Sequence, residues 1–367
     1  MRILFSTDTV GGVWDHTVTL TRALVAAGHE VLVAAIGQPR DVRLAGLPDG
    51  VEYASRDYRL EWMPDSGDDV RASAGWLAGL AARWEADVVH LNQMAVAAHD
   101  FPAPVLVAVH SDVLGWWRGV HGCEAPREEW AAYVDGVREG IARADAVVAP
   151  SRWQADQVAR FYGRADVHVV HNGVEVPDAP PPARDFHVIS VGRMWDRGKG
   201  MDVLDEAAGL LRGEVPIHVL GEAAAPHGGA FVPRHVSARG RLEREDVDKW
   251  MRRAAVYVAP SRYEPFGLAP LEAALHGCAL VLSDLETFRE LWDGCACFVP
   301  VGDAAALAGA LRALRDDPDR LAERAGAARR RALRRFGAAR MAGEYLDLYA
   351  AMAGSREDAA LAAGVAA

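Results

Sequence analysis

Glu175-Val176-Pro177-Asp178-Ala179-Pro180-Pro181-Pro182-Ala183-Arg184 places four prolines within ten residues. Proline fixes φ and removes a backbone donor, so such a run forms neither a helix nor a central strand and reads as a linker. Outward from it, the same pattern appears on both sides. Upstream, RILFST (2–7), EVLVAAIG (30–37), DVVHLNQ (87–93), PVLVAVH (104–110), AVVAPS (146–151) and VHVVHNG (167–173) are short Val-rich runs bounded by turn residues. Each reads as a strand buried on both faces of a parallel sheet. Helical periods lie between them, among them HTVTLTRALVAAG (16–28), which stops at Gly28 as a helix C-terminus does. Downstream, the alternation restarts with FHVISVG (186–192), PIHVLGE (216–222), VSARG (236–240), AVYVAPS (255–261), CALVLSD (278–284) and CACFVP (295–300), and a nearly continuous helical tail covers 303–353. Repeated βα alternation makes a doubly wound α/β sheet, so the expected architecture is two Rossmann-like domains joined by a hinge. The boundaries expected are 1–176, a linker at 177–185, a second domain at 186–342, and a C-terminal helix at 343–367 returning to the first domain.

Length and charge agree with this division. A chain of 367 residues suits two domains. With 51% hydrophobic and 25% charged residues, it falls outside the disordered, collagen-like and disulfide-stapled classes. A net charge of −11 argues against nucleic acid or an anionic membrane as partner. Residues 1–178 hold 15 Arg and no Lys against 25 Asp+Glu, which puts −10 of the charge in the first half. Cys123, Cys278, Cys295 and Cys297 have no metal-site spacing and read as structural thiols. The start reads as a strand rather than a signal peptide, and no apolar stretch reaches the roughly 20 residues of a membrane span. A cytoplasmic location is the expectation.

Three segments carry chemistry. Gly11-Gly12 lies between the first strand and a helix, where free N–H groups favour phosphate or a polarised oxygen, although a tight structural turn uses the same residues. Gly192-Arg193-Met194-Trp195-Asp196-Arg197-Gly198-Lys199-Gly200 occupies the equivalent place in the second half. Only Lys199 and Lys249 are lysines among 40 basic residues, so Arg193, Arg197 and Lys199 read as a diphosphate clamp. Ser261-Arg262-Tyr263-Glu264-Pro265-Phe266-Gly267-Leu268-Ala269-Pro270-Leu271-Glu272 turns from a strand end into a helix over 269–277. Its carboxylates, Glu264 and Glu272, accept hydroxyl hydrogen bonds, and the amides of Phe266, Gly267 and Leu268 suit phosphate oxygens. His110 ends its strand at the edge where ligands of open sheets bind and reads as a contact to the reacting group, whereas His171-Asn172-Gly173 reads as structural.

The run Glu264 to Glu272, an E-x7-E pattern, closely resembles the signature of retaining nucleotide-sugar glycosyltransferases of family 4, which have the GT-B fold. Gly11-Gly12, His110 after a V-x-V run, Pro150-Ser151 with His171-Asn172-Gly173-Val174, and Gly192-Arg193…Lys199-Gly200 add to the resemblance in the family's order over nearly the whole chain. It implies two Rossmann-like domains facing across a cleft, and transfer of a sugar from a nucleoside-diphosphate sugar, UDP-linked, to an acceptor hydroxyl. Arg193 and Lys199 would neutralise the diphosphate. Glu264, with the Phe266–Leu268 amides, would hold donor-sugar hydroxyls, and Glu272 the ribose. Backbone of Arg239-Gly240-Arg241-Leu242 would hold the base. His110 would lie near the sugar C6 hydroxyl, and Gly12 would let backbone approach the phosphate. No metal or other cofactor is implied, since cationic side chains and helix amides supply the charge stabilisation. Arg193 and Lys199 stand six apart, against five in common members, so Arg197 could share the lysine's part.

Competing classes are a nucleotide-sugar epimerase of the same two-domain shape and a non-catalytic sugar-binding module. On the acceptor side, Trp14, Trp116 and Trp117 suit stacking on a sugar or cyclic aglycone, with core burial as the alternative. The acidic first half favours a soluble, neutral or cationic acceptor.

Overall fold

The computed structural model describes residues 1–8, 11–37, 46–177, 184, 186–225 and 229–365, with side chains to 354. The chain divides into two compact units.

The first unit contains β1 (Arg2–Asp8), α1 (Val13–Ala26), β2 (Glu30–Ile36), β3 (Glu52–Arg56), α2 (Gly67–Arg83), β4 (Val88–Leu91), β5 (Val105–Ala108), the start of α3 (Val113–His121), α4 (Arg127–Arg143), β6 (Ala146–Ala149), α5 (Arg152–Tyr162) and β7 (Val167–Val169). Its seven strands run in the order β3-β2-β1-β4-β5-β6-β7, all parallel. The valine runs fill both faces, as a sheet covered on each side by helices requires. β3 has no counterpart among the expected strands. Its sequence EYASR is half-exposed at the sheet edge, so it lacks the apolar run that marks a central strand.

The second unit contains β8 (Val188–Val191), α6 (Met201–Leu211), β9 (Ile217–Leu220), β10 (Ser237–Ala238), α7 (Arg244–Arg253), β11 (Val256–Ala259), α8 (Leu268–Leu275), β12 (Ala279–Ser283), α9 (Glu286–Trp292), β13 (Cys297–Val299), α10 (Ala304–Asp316) and α11 (Pro318–Arg335). Its parallel order is β10-β9-β8-β11-β12-β13. The helical tail is cut where sequence supplies caps. Asp303 accepts from the Ala306 amide at 2.8 Å, and Asp317 from the Arg320 amide at 3.0 Å with Pro318 following. Such side-chain caps satisfy amides that the helix itself leaves open.

The final helix, α12 (Ala338–Val365), belongs to the first unit. Met341, Tyr345, Tyr349 and Met352 join Ile3, Phe5, Val31 and Val33 in one core face. The Tyr349 hydroxyl lies 2.6 Å from His90 Nδ1, which gives that buried phenol the polar partner it needs. Three boundaries differ from the sequence expectation. The first unit's main segment ends at Gly173 rather than 176, the return begins at Ala338 rather than 343, and Gly115–Cys123 groups with the second unit. Most of the proline segment, 178–183 and 185, lies outside the described residues. Among the described residues, no helix is long and apolar enough to cross a membrane.

Candidate functional site

In each sheet the strand order reverses once, between β1 and β4 in the first and between β8 and β11 in the second. Ligands of open α/β sheets bind beyond the strand C-termini at such a switch point. The segments that carry the chemistry leave these strands, except that of His110, which follows the neighbouring β5.

In the second unit, β8 runs into Gly192-Arg193, and residues Arg197–Lys199 form a short 3-10 turn capped by Asp196, whose carboxylate accepts from the Gly198 amide at 2.9 Å. Gly200 follows at φ +63°, and a Cβ there would stand 1.9 Å from the Pro260 carbonyl oxygen. Glycine thus lets the loop after β8 touch the loop after β11. Three further bonds close the contact: the Arg262 amide donates to Gly198 O at 2.8 Å, and the Arg262 guanidinium grips both Asp202 oxygens at 2.7 Å. The consequence is the meeting of Lys199 and Glu264, with Nζ to Oε2 at 2.6 Å and the Glu264 side chain only 12% exposed. Arg193 stands beside them, its Nη2 donating to Asp196 Oδ2 at 2.7 Å. Burial pushes the Asp196 carboxyl up, but Arg193 and Lys199, with hydrogen bonds from Trp116 and Gly198, outweigh it and hold the group below its usual value.

Gly267, at φ +89°, turns the chain into α8 and offers its first turn no side-chain cap. Phe266 is buried against Phe336 and Leu268 is half-buried. Glu272 is held by Arg244 at the start of α7. Sequence reasoning missed this partner, because an arginine in the first turn of an exposed helix carries no local signal. Arg239 lies 3.3 Å from His218 and over the Trp250 ring, and Arg241 pairs with Glu222 at 3.1 Å. Their side chains are thus engaged by neighbours around β9 and β10. Arg197 is exposed and lines a cavity of about 350 Å³ with Met194, Trp195, Asp202 and Phe231. Among the described residues, its side chain makes no bond to the Lys199–Glu264 pair.

In the first unit, Gly11 has φ +87° and Gly12 opens α1, accepting from the His16 amide at 3.0 Å. One turn on, the His16 ring packs edge-on against His110 at 4.5 Å between centroids. His110 Nε2 lies 2.8 Å from Asn92 Oδ1. The Asn92 amide nitrogen already donates to Ser6 O at 2.7 Å, so Oδ1 is an acceptor and His110 carries its proton on Nε2. Nδ1 is left with a lone pair. Burial pulls the His110 pKa down to about 4, so the ring is neutral near pH 7. Asn92 and His16 were not among the sequence candidates. The signal available was the position of Asn92 just past a strand of the switch point.

Glu61 is a second unpredicted group. Its buried carboxylate accepts from the Met94 and Ala95 amides at 3.2 and 2.7 Å, and burial raises its pKa to about 7.

The three tryptophans divide between the two units. Trp14 is a core residue, edge-on to Tyr53, which corrects its acceptor-side reading: α1 turns the indole into the sheet. Trp116 and Trp117 fall in the segment that groups with the second unit. The Trp116 indole donates to Asp196 Oδ1 at 3.1 Å, and Trp117 packs on His121 at 4.5 Å. Among the described residues no group of three or more His, Cys, Asp or Glu is arranged to hold a metal, and all four cysteines are free thiols.

Comparison with known proteins adds an independent line. The family described as Glycosyltransferase Family 4 matches residues 10–177, and Glycosyl transferases group 1 matches 185–317. A phosphatidyl-myo-inositol mannosyltransferase of Mycobacterium leprae is 30% identical over 385 residues, covering 96% of each chain. A glycogen synthase of Mycobacterium tuberculosis is 28% identical over 368 residues, covering 88% of this chain and 86% of its own. Among solved structures, a sucrose-phosphate synthase from Thermosynechococcus elongatus superposes with a TM-score of 0.78 at 20% identity, over 97% of this chain and all of its own. Anabaena HepE in complex with UDP and glucose gives 0.76 at 17%, over 95% and 99%.

Proposed function

The chain belongs to the family 4, group 1 glycosyltransferases and has their GT-B fold, and from that premise we propose that it moves a sugar from a UDP-linked donor to an acceptor hydroxyl with retention and without a metal. The observation that carries the proposal is the 2.6 Å pair of Lys199 and Glu264 at the second unit's switch point, with Arg193 alongside. UDP is preferred because HepE, which shares the fold, is described in complex with UDP-glucose.

The pair is a resting arrangement of opposite charges. A donor brings both a diphosphate and sugar hydroxyls, which gives each member a better partner: Lys199 turns to the phosphate and Glu264 accepts from a hydroxyl. Departure of the nucleoside diphosphate concentrates negative charge on the bridging oxygen. Fixed cations at Arg193 and Lys199 stabilise that charge more than they stabilise the intact donor. The departing phosphate oxygen takes the acceptor's proton on the same face, so no protein base is required. His110 is neutral and offers Nδ1 as an acceptor for a sugar hydroxyl. Glu272 holds the ribose once Arg244 yields it, and the backbone of 239–242 holds the base.

The acceptor is proposed to be soluble and neutral or cationic. The first half of the chain has no lysine and a charge of −10, which disfavours approach to an anionic surface. No binding to anionic vesicles is expected, at low salt or high. A screen of UDP-, GDP- and ADP-sugars by protection against thermal unfolding, followed by acceptors with the protecting donor, tests the whole reading. Release of the nucleoside diphosphate with an α-linked product from an α-donor is expected. Absence of protection by every nucleotide sugar would overturn it.

A further inference from the structure

Asp196, like Glu264, is an acid of the clamp that is almost fully enclosed. Its side chain is 7% exposed, yet the arginine it pairs with is 36% exposed. Three bonds hold the carboxylate: Oδ1 accepts from the Trp116 indole at 3.1 Å and the Gly198 amide at 2.9 Å, while Oδ2 accepts from Arg193 Nη2 at 2.7 Å. A carboxylate bound by two donors on one oxygen does not swing away when a ligand arrives. Among the described residues, the Arg193 side chain makes no other hydrogen bond, and its guanidinium lies over the Trp195 ring at 5.1 Å. Gripped by one nitrogen and backed by one ring face, it keeps its other N–H donors for a ligand. Two oxygens of a diphosphate match such a fork.

The origin of Trp116 adds to the argument. It lies six residues beyond His110, on α3, a helix that begins in the first unit and ends in the second. Gly119 of the same helix lies against the Arg262 carbonyl, where a Cβ would come within 2.8 Å, so this segment is seated on the loop that carries Glu264.

We propose that Asp196 is a positioning residue that orients Arg193 toward the donor diphosphate, and that Trp116 fixes Asp196 through its indole N–H. This rests on the reading of the second unit as the nucleotide-sugar unit. It assigns to a tryptophan expected on the acceptor side a part in donor binding.

The charge and the geometry predict opposite outcomes, which makes the test sharp. Removing an anion beside a diphosphate strengthens binding if charge alone matters. Losing the orientation of Arg193 weakens it. Affinities of UDP, GDP and ADP are measured by calorimetry for the wild type, and the tightest is carried forward with its nucleoside as control. Asp196→Asn keeps the Trp116 and Gly198 bonds but loses the grip on Arg193. It is expected to bind the diphosphate about tenfold more weakly, with the nucleoside unchanged. Trp116→Phe is expected to cost about threefold and carries the test if the asparagine variant does not fold. In an Arg193→Ala background neither substitution costs anything further, since both act through that side chain. Unchanged or tighter binding by the single variants, or a penalty that persists without Arg193, overturns the proposal. Failure of the wild type to bind any diphosphate overturns the donor-site reading instead.

Discussion

The distinction between Lys199 and Glu264 can be drawn by substitution, because they meet different parts of the donor. Lys199 faces a charge present in the ground state and enlarged in the transition state, so Lys199→Ala is expected to weaken nucleoside-diphosphate binding about tenfold and lower kcat as well. Glu264→Gln keeps a hydroxyl acceptor but loses the charge that balances Lys199. Its kcat is expected to fall about a hundredfold with donor affinity changed only a few-fold, a split read directly from kcat and KM. Wild-type turnover in this variant removes Glu264 from the reaction. The residue types and their spacing were legible in the sequence. Their resting partners were not, since Lys199 lies 65 positions from Glu264 and Arg244 lies 28 from Glu272, and nothing local announces either meeting. Trp14 shows the converse. An indole just past a glycine turn reads equally as a ligand platform or a core residue, and only the rotation of α1 decides.

Elements were legible where burial is complete and less so where it is partial. β1, β2 and β12 stand close to their expected limits because both faces of each are apolar, while β3 and the two-residue β10 lie at exposed sheet edges. The grouping of Gly115–Cys123 with the second unit was not legible, because a helix carries no mark of which core its far end will join. The loop contact at Gly200 gives an element-scale prediction. Its φ of +63° and the 1.9 Å approach to Pro260 O exclude a side chain. Gly200→Ala is expected to cost roughly 1–3 kcal/mol of stability and, by pushing the two loops apart, to weaken diphosphate binding. Thermal unfolding and calorimetry check both effects. Gly28, which ends α1 with open space around its Cβ, is the control: alanine there is expected to leave binding unchanged.

At the scale of the molecule, the two units differ in what they bury. The first holds His16 in ring contact with His110, and Tyr345 touches both His16 and His90, which also packs on Phe5 and Tyr349. Burial lowers all three pKa values, that of His110 to about 4, and mutual repulsion adds to the effect for His16 and His90. Between pH 6.5 and 4 the unfolded chain binds a proton at His110 and the folded unit does not, so that ring takes away about 1.4 kcal/mol of stability per pH unit as the pH falls through that window. His16 and His90 act in the same sense. Glu61 works in the opposite sense. Its carboxyl titrates near 7 when folded and near 4.5 when unfolded, so between those values the folded unit holds the extra proton and acidification stabilises it. Down to pH 4.5 the glutamate offsets His110, and the lowered pKa values of His16 and His90 leave a net loss on acidification. In the second unit Asp196 is held below its usual value, so its contribution is lost only at more acid pH. On going from pH 7 to pH 5 the first unit is expected to loosen before the second, with hydrogen exchange rising first in β1, β4, α1 and α12, and calorimetry showing a low-temperature transition separate from the main one. Glu61→Gln removes the offset and is expected to steepen the acid loss by about 1.4 kcal/mol per pH unit. Equal protection of both units from pH 7 to 5 would contradict the buried neutral histidines, and a Glu61→Gln slope no steeper than wild type would contradict the proton held on Glu61.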